Sequence, residues 1–129
     1  MSYAVAILCI SPEGIPLVRD PRKPHPLFWK LPGGKAEGEE TPEEAARREL
    51  GLETGIWVPE DHLILVDQQD RGSHIVYIFN VAVPDLDGLV ERGDEGEEVQ
   101  VFSAEDIIGM SDFFLPHRDA VGELLVQIL

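Results

Sequence analysis

Two glutamates, Glu49 and Glu53, have the spacing that could hold a divalent cation. The sequence predicts a helix over residues 42–54, where side chains at positions i and i+4 lie on one face with Cβ atoms about 6 Å apart. Two like charges this close destabilise a helix unless a cation lies between them, and Mg²⁺ takes such carboxylate oxygens together with water and substrate phosphates. On spacing alone, a solvated acidic helix face is the better interpretation.

Local signals at both ends define the helix that positions this pair. Thr41 is a good N-cap, Glu44 can complete a capping box with it, and a proline follows Thr41 at the first helical position. Gly55 supplies the stop, since a residue just past a helix often needs a left-handed backbone. Before the helix, the Gly33-Gly34 pair predicts a turn whose bare backbone can approach a ligand closely.

The stretch from Gly34 to Ile56 resembles the Nudix box. That pattern is Gly, five residues, Glu, seven residues, Arg-Glu, an aliphatic residue, one residue, Glu-Glu, one residue, Gly and an aliphatic residue. The positions that match it are Gly34, Glu40, Arg48, Glu49, Leu50, Glu53, Gly55 and Ile56. The departure is Leu52, where the pattern has the first Glu of the Glu-Glu pair. So many fixed positions make the match specific.

The resemblance implies a Nudix, MutT-like hydrolase that cleaves a nucleoside diphosphate linked to another moiety. It implies Mg²⁺ or Mn²⁺ as cofactor, held by Glu49, Glu53 and a backbone carbonyl of the Gly34 region. Neutralising phosphoryl charge and activating water are what such an ion supplies. The resemblance further implies that Arg48 orients the carboxylates and that Glu49 or Glu53 could also aid proton removal.

A further Glu outside the box supplies a ligand or the base in many relatives. Glu97 and Glu98 lie in the corresponding region, at the start of the last predicted strand. Adjacent strand positions face opposite ways, so the two side chains should point to different sides. We take Glu98 as the catalytic candidate; a solvated strand end is the alternative.

Leu52 motivates a second hypothesis, a Nudix-fold nucleotide-binding or regulatory domain with weak or no turnover. Leu52 lies one helical turn from Arg48 and so deprives that arginine of its expected partner. Arg48 is then left to pair with Glu44 or with the loop carboxylates Glu37 and Glu40. We interpret the change as a weakened metal site and not an absent one.

Aromatic side chains are the candidates for recognising a base. Phe28 and Trp29 precede the box, and Phe113, Phe114 and His117 lie in a late loop. For the late group, a pocket wall and packing against the C-terminal helix are equally good interpretations. The box itself says nothing about the base. Nucleoside triphosphates, ADP-ribose-like compounds, nucleotide sugars and dinucleoside polyphosphates all stay open, with a mild preference for a nucleoside triphosphate because the chain is short.

Hydrophobic alternation predicts strands over residues 3–10, 15–19, 28–31, 62–68, 74–83 and 97–102, and a C-terminal helix from residue 116. A turn signal at residues 11–14 predicts that the second strand is the return strand of a hairpin with the first. The first and fifth are apolar on both faces, as expected for strands covered on both sides. The order of elements indicates an α/β protein, a mixed sheet with helices on its faces. The resemblance implies the Nudix α/β/α sandwich, with the Nudix loop-helix-loop, as a single domain over residues 1–129.

Charge and composition limit the partners. A formal net charge of −15 argues against a nucleic-acid polymer, because few cations are left to replace phosphate counterions, but it allows a small phosphorylated nucleotide. No apolar run reaches the length of a membrane span, and no signal peptide is evident. Cys9, the single cysteine, is expected to be buried in the first strand, which fits a cytoplasmic protein and argues against a third activity, cysteine-dependent isomerisation of a prenyl diphosphate. Family members are often dimers, so a homodimer is allowed.

Overall fold

The computed structural model describes residues 2–129 and is built around a four-stranded mixed sheet. The strands are β1 (Tyr3–Ile10), β2 (Ile15–Arg19), β3 (Gly33–Lys35), β4 (Ile64–Asp70), β5 (Ile75–Ala82) and β6 (Glu98–Phe102). The α-helices are α1 (Pro42–Thr54), α2 (Ala104–Gly109) and α3 (Leu115–Gln127), and a 3₁₀ turn covers Glu60–His62. None of the helices in residues 2–129 is long and apolar enough to span a membrane.

The sheet has the strand order β3-β1-β5-β4, with β1 and β5 parallel and the two outer pairs antiparallel. β2 and β6 form a separate two-stranded antiparallel ladder. The sequence predicted β2 as the return strand of a hairpin with β1, and this is wrong beyond the Ser11–Gly14 bridge. The turn signal there involves only neighbouring residues. The strand that pairs with β2 is β6, which lies far away in the sequence.

Each face of β1 packs against its own core. Val5, Ile7 and Cys9 lie with the buried residues of α1, whereas Ala6 and Leu8 lie with those of α2 and α3. Helices therefore cover both faces of the sheet, which confirms the predicted α/β sandwich. Removing these apolar side chains from water on both sides of one strand is the main force that fixes the layers.

Helix α1 is as its local signals predicted. The Thr41 hydroxyl accepts a hydrogen bond from the Glu44 N–H at 3.1 Å, and the Glu44 carboxylate accepts one from the Thr41 N–H at 2.8 Å. Gly55 ends the helix with a φ of 82°, a conformation that an L side chain disfavours. These signals fix the ends of the helix that carries Glu49 and Glu53.

Two predictions next to the helix need correction. The Gly33-Gly34 pair is not a turn but begins β3, which pairs antiparallel with β1. Residues 28–31 do not form a strand; Trp29 and Lys30 make only isolated bridges. Strand pairing uses backbone atoms, so a Gly-Gly pair can join a ladder despite the poor intrinsic preference of glycine for strands.

Candidate active site

A cleft of about 470 Å³ lies between β3, α1 and the loop before β6. Its acidic residues are Asp20, Glu37, Glu49, Glu53, Asp94, Glu95 and Glu97, and its basic residues are Arg22, Lys23, Lys30, Lys35 and Arg48. The basic set is half of the 10 Lys and Arg residues in a chain of net charge −15. Cations gathered beside carboxylates in this way can hold an anion next to a bound metal ion.

Glu53, near the end of α1, has only 7% of its surface exposed. Its Oε1 accepts a hydrogen bond from the Gly33 N–H at 2.6 Å. Burial, together with the neighbouring acids Glu49 and Glu97, raises the pKa of Glu53 to about 9, although the hydrogen bond from Gly33 acts to lower it. With no cation beside it, this carboxyl therefore holds a proton at neutral pH.

Glu49 lies against the bare backbone of Gly34. A Cβ at residue 34 would come within 2.6 Å of the Glu49 Oε2, so only glycine allows the carboxylate to lie there. Burial raises the pKa of Glu49, while its hydrogen bond with Arg48 opposes that change. The structure thus brings Gly34, Glu49 and Glu53, the three predicted metal-binding residues, to one cleft.

Arg48 joins the helix to the acidic loop. Its Nε donates to Glu40 at 2.7 Å, its Nη1 to Glu49 at 2.6 Å, and Glu37 lies 3.7 Å from Nη1. Of the partners considered from the sequence, the loop pair is observed, whereas Glu44 is engaged in the capping box. Arg48 therefore holds the Glu49 carboxylate and lowers the pKa of Glu40, although Leu52 has no carboxylate with which Arg48 could pair.

The two acids at the start of β6 diverge, as alternation requires, and their surroundings differ. Glu98 is not among the residues that line the cleft. It accepts a hydrogen bond from the Arg19 Nε at 2.7 Å, opposite it on β2. Glu97 instead lines the cleft, is 6% exposed, and raises the pKa of Glu53 through its charge and a hydrogen bond. Glu97, not Glu98, is the acid that reaches the box.

The aromatic candidates form two pairs, one buried in the core and one that lines a surface groove. Trp29 and Phe113 are buried in the core, 7% and 3% exposed, so the structure offers neither ring to a ligand. Phe28 and Phe114 line a groove of about 210 Å³, with ring centroids 6.4 Å apart. The separation follows from the backbone bridge between Trp29 and Phe113: adjacent extended residues alternate, so Phe113 points inward and Phe114 outward.

Several charged residues of the cleft had no recognisable sequence signal. Arg22 is held by Asp20, which accepts from its Nε at 3.0 Å and its Nη2 at 2.9 Å, and it also reaches Glu95 at 3.2 Å. A backbone hydrogen bond holds Asp94 in place, since its N–H donates to the Leu52 carbonyl. These loop residues come together only through the fold, and no fixed spacing marks them.

Cys9 is fully buried, as the sequence indicated, and burial raises the pKa of its thiol to about 12. A thiol in this state is neither accessible nor ionised. The cysteine chemistry that prenyl diphosphate isomerisation would need therefore has no residue in the cleft.

The donor set fits Mg²⁺ or Mn²⁺. Carboxylate and backbone oxygens are the hard ligands that these ions prefer. Glu53 is buried among other acids and has a raised pKa. A cation bound beside it would favour the charged form of this carboxyl. In the part of the chain that the structure describes, residues 2–129, no three His, Cys, Asp or Glu side chains form a ready-made cage. Mg²⁺ keeps several waters when it is bound and uses one or two carboxylates plus substrate phosphates, so Glu49 and Glu53 are enough carboxylates for it.

Comparisons with known proteins agree on one family. Residues 2–123 match the NUDIX domain. A relative named 8-oxo-dGTP diphosphatase from Proteus vulgaris is 40% identical over 96 residues, covering 71% of this chain and 84% of the relative. Phosphatase NudJ from Escherichia coli (strain K12) is 28% identical over 116 residues, covering 87% of this chain and 76% of the relative. A solved structure described as MutT from Aliivibrio salmonicida and Vibrio cholerae superposes with a TM-score of 0.79 at 25% identity, covering 99% of this chain and 98% of that one. The chain belongs to the Nudix family and is a MutT-like Nudix hydrolase.

Proposed function

We propose that this protein is a metal-dependent pyrophosphohydrolase whose substrate is a nucleoside triphosphate. The observation that carries the proposal is the cleft itself, in which the box carboxylates of α1 face a group of lysines and arginines. A pyrophosphate carries several negative charges and is bound by metal together with cationic side chains. Both kinds of group meet in this one cleft.

The box residues fit the roles that the Nudix resemblance implies. Glu49 and Glu53, with a backbone carbonyl of the Gly34 region, would hold Mg²⁺ or Mn²⁺. When bound, the ion would neutralise charge that develops on the phosphoryl oxygens and lower the pKa of a water. Arg48 keeps Glu49 in position through its 2.6 Å hydrogen bond, which makes it a positioning residue.

Glu97 takes the place that the sequence had given to Glu98. It is buried at the edge of the cleft beside Glu53, so its carboxylate can accept a proton from a water in the cleft or complete the metal site. Glu98 is occupied by Arg19 and serves to join β2 to β6.

The cationic wall would bind the phosphates. Lys23, Lys30 and Lys35 line the cleft, and Arg22 lies at its rim with its guanidinium held by Asp20. A lysine ammonium acts as a mobile point charge and an arginine as a fixed fork, and both are used for phosphate. Four cations exceed what a single phosphate needs and favour a chain of phosphates.

The test is a substrate panel with Mg²⁺, with Mn²⁺ and with a chelator. The panel should contain 8-oxo-dGTP first, because the Proteus vulgaris relative carries that name, then dGTP, dATP, ADP-ribose, a nucleotide sugar and a dinucleoside polyphosphate. Metal-dependent release of a nucleoside monophosphate and pyrophosphate from a triphosphate is the expected result. Turnover only of the other compounds would reject the triphosphate. Nucleotide binding with no turnover of any compound would support the alternative that Leu52 suggests, a binding or regulatory domain.

A further inference from the structure

The guanidinium of Arg22, at the rim of the cleft, has two edges that can bind an anion. One edge, Nε and Nη2, donates to the two carboxylate oxygens of Asp20 at 3.0 Å and 2.9 Å. The Arg22 N–H donates to the same carboxylate at 2.9 Å, and the side chain of Asp20 is only 8% exposed. Because a bidentate, charge-assisted pair is both strong and directional, Asp20 holds this arginine in one orientation.

The second edge of the Arg22 guanidinium, Nη1 and Nη2, is only half used. Within residues 2–129 it makes a single hydrogen bond, from Nη2 to the Glu95 Oε2 at 3.2 Å. The side chains of this ion pair are 57% and 64% exposed, and an exposed pair of this kind contributes little to stability. The two N–H groups of such an edge match two phosphoryl oxygens, so a phosphate would fill what one carboxylate oxygen leaves open.

Glu95 is brought to this edge by the loop before β6. The Glu95 N–H donates to the Glu97 Oε1 at 3.0 Å, which ties the loop to an acid of the cleft. The ladder of β2 and β6 ends at the pair Arg19–Glu98, and Arg22 and Glu95 lie further along the same two chains. Both side chains line the cleft. The fold therefore places a carboxylate on an arginine that faces the phosphate-binding space.

We propose that Glu95 is an internal competitor for a phosphate subsite on Arg22, which makes the contact between these two residues autoinhibitory. The subsite is the Nη1–Nη2 edge, and its ligand is the polyphosphate part of the substrate. In the free protein the Glu95 carboxylate takes one of the two donors. When a polyphosphate enters the cleft, its oxygens take both donors and the Glu95 carboxylate turns to solvent. Glu95 thus lowers the affinity for polyphosphates, and this effect requires Arg22.

This inference rests on the proposed function only in that the cleft binds phosphates, so it is tested by binding without metal or turnover. The probe is inorganic tripolyphosphate, and its Kd is measured by calorimetry in a chelating buffer with about 0.15 M salt, which screens distant charges. Glu95→Gln should tighten tripolyphosphate binding at least about threefold more than the control variant Glu37→Gln does.

Glu37 is a matched control because it lines the same cleft and its side chain is 75% exposed. The arginine that it approaches, Arg48, is already paired with Glu40 and Glu49. Glu37→Gln therefore reports how much the loss of any one acidic charge in the cleft strengthens the binding of an anion. A Glu95→Gln protein that binds tripolyphosphate no more tightly than this control would overturn the proposal.

Arg22→Gln removes the subsite and should weaken tripolyphosphate binding about tenfold. In that background Glu95→Gln should strengthen binding no more than Glu37→Gln does, because no arginine remains to be released. A gain from Glu95→Gln that persists without Arg22 would reduce the effect of Glu95 to general repulsion and overturn the proposal. If Arg22→Gln does not fold, the comparison of the two exposed glutamates decides.

The two proposals fail in different ways. Tripolyphosphate binding that follows the expected pattern, without hydrolysis of any nucleotide, would reject the proposed function alone. Hydrolysis of a nucleotide together with equal effects of Glu95→Gln and Glu37→Gln on tripolyphosphate binding would reject this inference alone.

Discussion

Replacing Glu53 with glutamine should stabilise the metal-free protein while removing most of its activity. The pKa of this buried carboxyl is raised from 4.5 to about 9. Between these values the folded protein keeps a proton that the unfolded chain releases, so stability is present below pH 4.5 and is lost as pH rises towards 9. From 4.5 to 7 is about 2.5 pH units, each worth about 1.4 kcal/mol, which makes the cost about 3 kcal/mol at pH 7. Glutamine has no charge to desolvate, and its Oε1 can still accept the Gly33 N–H.

The assay is urea unfolding in a chelating buffer at pH 5, 7 and 9. The free energy of unfolding of Glu53→Gln should exceed that of the wild type by less than about 1 kcal/mol at pH 5, by about 3 kcal/mol at pH 7, and by more at pH 9. Glu39→Gln removes the same charge from an exposed loop position that lines no described cavity. This control should change stability by no more than about 0.5 kcal/mol at any of the three pH values.

The same variant should lose turnover by about 100-fold or more with Mg²⁺, because Glu53 is proposed to hold the ion. The charge that the ion stabilises in the transition state is worth several kcal/mol. The two results are linked, since the charge that destabilises the metal-free protein is the charge that would bind the metal. A variant that is less stable than the wild type at pH 9 would refute the raised pKa of Glu53. A variant with near-wild-type turnover would refute its role in catalysis.

Three further predictions concern the same cleft. Mn²⁺ affinity, measured by calorimetry, should rise by up to about tenfold for each pH unit between pH 6 and 9, because Glu53 must release its proton on binding; an affinity that is flat with pH would contradict this. Glu97→Gln should lower kcat at least about tenfold. Glu98→Gln loses only its pair with Arg19, whose two side chains are 30% and 29% exposed, and should stay within about threefold of the wild type. The reverse order would restore Glu98 as the catalytic acid. Leu52→Glu, which completes the box, should tighten Mn²⁺ binding by about tenfold, and an unchanged Kd in calorimetry would mean that residue 52 does not face the ion.

Helix α1 could be predicted to its end residues because every signal for it is local. Thr41, Glu44 and Gly55 act within a turn of their own positions, so no distant part of the chain decides the outcome. The strand β3 could not be predicted, because it exists only through pairing with β1, and its Gly-Gly pair carries no strand preference. The partner of β2 was missed for the same reason: the turn after Ser11 is local and its pairing with β6 is not.

In the candidate site, too, the features with local signals could be predicted and those that depend on long-range pairing could not. The box fixed which helix carries Glu49 and Glu53, and alternation at the start of β6 required Glu97 and Glu98 to diverge. Which of those two faces the cleft depends on the register of β6 against β2, where Glu98 lies opposite Arg19. That register is a property of two strands far apart in sequence, and a single-chain pattern does not contain it.

Leu52, which stands where the Nudix box has a glutamate, affects the chemistry of the site but not the stability of the fold. Arg48 is satisfied by Glu40, Glu49 and the nearby Glu37, so the missing carboxylate leaves no buried charge unpaired and the helix loses nothing. Leu52 is exposed at the edge of the cleft and lies outside both cores. Its effect must therefore fall on the charge available to a metal ion. With one carboxylate fewer in the box, more of the binding free energy has to come from Glu53, the acid that holds a proton when the metal is absent. Metal binding in this protein should consequently depend on pH more steeply than in a box whose carboxylates are complete and already ionised.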